Sequence, residues 1–145
     1  MIRSIGFGWL MVLLVTWPAA VYGHHAFSSE FDADRPFKVK GEVVKVEWIN
    51  PHCWIHVDVT TEDGQKEAWM MEAGTPNTLL RAGLTKKLLT VGTEVIVRGY
   101  QSKDADCDPK CYGAGRDIRL GDGSRVFIGS TGTGAPKDGT NPSEQ

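Results

Sequence analysis

The sequence has no excess of either charge. Its 145 residues hold 16 lysines and arginines against 18 aspartates and glutamates, for a net charge of −2. That balance supplies neither a basic groove for nucleic acid nor a cationic face for an acidic membrane, so neither is an expected partner. Catalytic signatures are also missing. There is no G-x-S-x-G elbow and no H-E-x-x-H helix. The glycines of "YGAGRD" are not set between a strand and a helix, so they make no phosphate loop. No spacing commits two carboxylates to one acid–base task. A non-enzymatic binding protein is therefore expected. No internal repeat is visible, and a hydrophobic content of 41% is ordinary for one globular domain.

Histidine is scarce, with four in the chain. Two of them, His24 and His25, stand side by side after a greasy run. Residues 1–23 read as a secretory signal peptide. Arg3 gives the positive start, "IGFGWLMVLLVTW" the apolar stretch, and Val21 and Gly23 the small residues of a cleavage site. The stretch is too short for a comfortable membrane span of about 20 apolar residues. The expected location is periplasmic or secreted, with no membrane attachment after cleavage. Loss of Arg3 then takes the net charge from −2 to −3, and His24 becomes the first residue.

The rest divides into an N-terminal arm (24–35), a β domain (36–130) and a tail (131–145) whose Gly, Pro and polar residues predict disorder. "FKVKGEVVKVEWIN" alternates through Val39, Gly41 and Val43, then shifts phase to Val44, Val46 and Trp48, which predicts a β-bulge. After the Asn50–Pro51 turn, Cys53, Ile55, Val57 and Val59 take one face of a strand and His52, Trp54, His56 and Asp58 the other. "EDGQ" is a hairpin turn and "KEAWMMEA" a third strand. "TPNTLLRAG" has the start and stop signals of a short helix. "TEVIVRGYQ" and two short strands around Asp122–Gly123 complete the pattern. The order predicts a mainly β fold, a small OB-like antiparallel barrel of five to six strands with one short helix.

Four segments, "HHAFSSEFDADRPF", "GEVVKVEWINPHCWIHVDV", "EAGTPNTLLRAGLTKKLLTVGTEVIVRGY" and "RDIRLGDGSRVFIG", together resemble a family of small exported bacterial proteins known as domain of unknown function 6152. The resemblance implies export and a single small β-rich domain. It implies no reaction. The "DADCDPKC" loop looks like a departure from that family's pattern.

The chemistry must come from the residues themselves. A free α-amine titrates near 8 and can bind metal. With the His24 ring it makes a chelate, and a strand histidine would complete a nitrogen-rich site of the kind copper favours. His52 and His56 stand roughly 13 Å apart along a strand, too far to share an ion, so His52, beside the turn, is the expected partner. His25 is a second candidate ligand. For His56 the plainer reading is a half-buried residue of the sheet face. Cys107 and Cys111 flank "DPK" and are expected to form a disulfide. The alternative is a metal clip with only Asp106 and Asp108 nearby. Cys53 is expected in the core. A rival binding reading uses an aromatic face, with Trp54 and Trp69 as its platform and Trp48 in the core. Its partner would be a small ligand or another exported protein.

Overall fold

The computed structural model describes residues 26–104 and 107–129. The predicted signal peptide and the tail lie outside them, as do His24 and His25. The described chain begins with a five-residue helix, α1 (Ala26–Glu30), which runs directly into the 17-residue strand β1 (Phe31–Glu47). Strands β2 (Trp54–Thr60) and β3 (Lys66–Glu72) follow, then helix α2 (Pro76–Arg81). The chain ends with β4 (Glu94–Ser102), β5 (Cys111–Leu120) and β6 (Arg125–Phe127). Among the described residues the fold is mainly β, with six strands and two short helices rather than the expected one. No helix among the described residues is long and apolar enough to cross a membrane.

The sheet order is β3-β2-β1-β4-β5-β6. All of these neighbours pair antiparallel. A further parallel pairing of β3 with β5, Trp69 opposite Cys111 through Glu72 opposite Ala114, joins β1 to β5 into a ring. Strand β6 takes up pairing with β5 at Asp117, beyond the point where β3 leaves it.

The bulge expected from the phase shift in β1 is present, between Val43 and Lys45 opposite β2. The extra residue turns Val43 fully into the core and leaves Val44 exposed. Gly41 is required by close approach of the two strands. A Cβ there would stand 2.3 Å from the Asp58 carbonyl oxygen, so β1 and β2 approach at this point more closely than any side chain permits.

Helix α2 follows its sequence signals. Thr75 caps it through its side-chain oxygen, which accepts from the Thr78 amide, Pro76 opens it, and Gly83 ends it at φ +91°. Its Leu79 is fully buried and closes one end of the core. The core is lined by alternate residues of the strands, among them Ile55, Val57, Met71, Val97 and Ile118. Cys53 is buried and unpaired, as its alternation predicts. Burial pushes the Cys53 thiol up, which keeps it an inert core group. Cys107 and Cys111 form the expected disulfide.

A second, smaller cluster lies under α1. Phe27 and Phe31 are buried against Tyr100, with Tyr112 and Ala114 at the margin. Burial of each phenylalanine contributes about 1.5–3 kcal/mol, which a five-residue helix needs, since so short a helix is unstable alone. Hydrogen bonds fix it further. The Glu30 carbonyl accepts from the Lys103 amide at 2.9 Å and the Ser102 hydroxyl at 3.2 Å, and the Ser28 carbonyl accepts from Lys103 Nζ at 2.5 Å.

Candidate functional site

Strand β2 turns Ile55, Val57 and Val59 inward and Trp54 outward. The β2–β3 register sets Trp54 opposite Glu72. This places Glu72 at the end of β3 beside the loop that carries His52. His52 Nδ1 lies 2.6 Å from Glu72 Oε1. The histidine side chain is 34% exposed and the glutamate 13%. His52 Nε2 makes no hydrogen bond among the described residues.

Glu72 is held above the ordinary carboxylate range. Burial is the main cause, and it outweighs the attraction of His52; the charge of Glu30 pushes the same way as burial. Tyr112, whose hydroxyl stands 3.5 Å from Glu72 Oε2, is also raised, by burial first and then by the charges of Glu72 and Glu30. Phe31, directly after α1, stacks on Tyr112 at 5.7 Å, so the described part of the arm lies beside this group.

An aromatic row runs from α1 to β2. Ring centroids are separated by 5.5 Å for Tyr100–Phe27, 5.6 Å for Phe27–Phe31, 5.7 Å for Phe31–Tyr112 and 5.5 Å for Tyr112–Trp54. Such pairs add about 0.5–1.5 kcal/mol beyond area burial. The Tyr100 hydroxyl is buried with no hydrogen-bond partner among the described residues.

The other sequence candidates fall elsewhere. His56 is buried, and its Nε2 lies 2.9 Å from Glu47 Oε1. Lys45 and then His56 hold the Glu47 carboxyl below its usual range. His56 thus sits deeper in the sheet than the half-buried position expected of it. Trp69 is 4% exposed and packs on Phe37 in the core, its ring centroid 4.6 Å away. Trp54 and Trp69 therefore lie on opposite sides of the sheet and form no shared platform. Trp48 is half-buried and packs on the core. No group of three or more metal-type side chains exists among the described residues. Sequence reasoning missed Glu72 and Tyr112. Only the Glu at the end of "WMME", across the hairpin from "HCW", hinted at the first.

The burial of Glu72 has a sign that stability measurements can read. The unfolded carboxyl ionises from about 4.5 upward, and the folded one at higher pH. Below that window the group is neutral in both states and costs nothing. As pH rises through it, the unfolded chain ionises first and the folded state loses stability. Glu72→Gln is expected to remove this loss. The difference in Tm, variant minus wild type, should grow as pH rises from 4.5 and then level off. A constant difference would show that burial does not govern this carboxylate.

The family described as "Family of unknown function (DUF6152)" matches residues 12–109. No curated protein matches the chain.

Proposed function

Because the chain belongs to DUF6152, a family of unknown function, we propose its function from its own residues: it is an exported, non-enzymatic protein that binds copper or a similar metal ion. The ligands in this reading are the α-amine and ring of His24, set free by cleavage after Gly23, and Nε2 of His52. His25 is the spare donor. The fold in this reading is an OB-type barrel, supported by the ring order and by α2 lying between β3 and β4.

The observation that carries the metal reading is the 2.6 Å contact of His52 Nδ1 with Glu72. A metal-binding histidine usually gives its second ring N–H to a carboxylate, which fixes the tautomer and makes the other nitrogen the donor. His52 has that arrangement and is partly exposed. Phe31, which follows α1, stacks on Tyr112, the neighbour of Glu72, so in this reading His24, two residues before α1, is supplied to His52 from the arm. The imidazole and amine donors suit Cu(II).

The test is Cu(II) titration of the protein beginning at His24, followed by tryptophan fluorescence, since Trp54 borders the site. His52→Ala and a glycine added before His24 should each abolish tight binding. Glu72→Gln should weaken it by about 10- to 100-fold. Equal affinity in all three would overturn the metal reading. The rival reading, a small ligand or partner protein on the aromatic row, rests on Trp54 packed at a tilt against Tyr112; it predicts that Trp54→Ala changes partner binding in metal-free buffer.

A further inference from the structure

We propose that the outer face of β4 and β5 carries a binding site for a phosphate-class oxyanion, separate from the metal site proposed above. The cross-strand register builds it. Lys38 of β1 pairs with Arg98 of β4, Arg98 with Asp117 of β5, and Ile96 with Arg119. Arg125 of β6 pairs with Arg119. These six residues line one cleft of about 90 Å³. A water molecule needs only about 10–15 Å³ of comparable space, so a tetrahedral oxyanion has room.

The charge of the cleft is lopsided. Among the described residues, four cationic side chains and one carboxylate line it. That carboxylate is buried, and it organises the arginines. Arg98 Nε and Nη2 donate to Asp117 Oδ1 and Oδ2 at 2.9 and 3.0 Å. Arg125 Nε and Nη2 donate to the same two oxygens at 2.9 and 3.0 Å. Two guanidinium planes are thus locked in position against one negative charge. Lys38 and Arg119, both exposed, add two more positive charges at the rim, and Ile96 supplies a half-buried floor. A cleft lined by one sign of charge focuses its field on an incoming counter-ion. Guanidinium is the side chain best matched to phosphate-type oxygens, and lysine adds a point charge.

The chain as a whole is slightly acidic, so this local excess is not a by-product of composition.

The experiment is an amide and arginine-side-chain NMR titration of the full chain at low salt. Inorganic phosphate and phenyl phosphate are the probes, with sodium chloride at equal ionic strength as control. Saturable shifts centred on Arg98, Arg119 and Arg125 are expected with at least one phosphate probe and not with chloride. Equal affinity for the two probes assigns the free anion as ligand. Tighter phenyl phosphate assigns a phosphoryl group on a larger molecule. The double variant Lys38→Ala/Arg119→Ala should bind about tenfold more weakly, with Tm and copper titration unchanged. Shifts that chloride reproduces, no saturation with either probe, or unaltered affinity in the double variant would each overturn the proposal.

Discussion

Replacing Asp117 by alanine is expected to destabilise the protein by about 3–5 kcal/mol, the range for breaking a buried ion pair by removing one partner. Asp117 is 5% exposed, and the Arg98 side chain it holds is 11% exposed. Without the carboxylate, Arg98 keeps its charge but has lost both the water it left and the oxygens that replaced that water. Arg125 contributes less to the loss, because its side chain is 42% exposed and water can solvate it. The drop in Tm should be on the order of 15 °C or more for a domain of this size. Asp117→Asn keeps the shape but should fare nearly as badly. Its amide nitrogen would face a guanidinium donor where an acceptor is needed. The double variant Asp117→Ala/Arg98→Met should recover much of the loss, since apolar replacement of both partners is often close to neutral. Additive losses in the double variant would mean that Asp117 acts through something other than Arg98.

The same network shows where sequence reading stops. "VIVRG" and "RDIRL" alternate in the sequence, and their alternation correctly separates Val95, Val97 and Ile118, which are buried, from Ile96, Arg98 and Arg119. What the alternation does not contain is register. Only the pairing of Arg98 with Asp117 and of Arg125 with Arg119 brings the charges together. His52 and Glu72 are likewise joined by hairpin register, across 20 residues of chain. Features set by local chemistry were legible: the proline start of α2, the Gly83 stop, the bulge at Val43, and the buried Cys53. The five-residue α1 was not, because one turn has no periodicity to read and its order comes from Phe27 and Phe31 lying on Tyr100. The parallel β3–β5 pairing was not either, because it joins segments some 40 residues apart that carry no turn signal between them.

One aromatic ring packs inside that closure, and the second large effect follows from it. Phe37 is buried and packs on Trp69 of β3. Its ring also lies over two glycines: a Cβ on Gly99 would stand 2.8 Å from its Cζ, and one on Gly113 would stand 2.6 Å from its Cε1. The ring therefore occupies the volume that side chains on β4 and β5 would need, and it links β1, β3, β4 and β5. Phe37→Ala is expected to cost about 3–5 kcal/mol, with the higher end favoured because the strands around the gap are hydrogen-bonded on both edges and collapse poorly. Gly99→Ala should be comparably harmful for a different reason. Its Cβ would also meet the Ala114 carbonyl oxygen at 2.0 Å, and a backbone oxygen in a paired strand cannot swing aside as a side chain can. Overpacking usually costs about 1–3 kcal/mol and more where the obstacle is rigid. The two causes separate in a double variant measured by urea unfolding. If the ring were the obstacle at Gly99, Phe37→Ala would rescue Gly99→Ala. Because the obstacle is the Ala114 carbonyl, the alanine at Gly99 should cost nearly as much with the ring removed as with it present. Substantial rescue would show that β4 and β5 are held at their spacing by the Phe37 ring rather than by their own backbone contact.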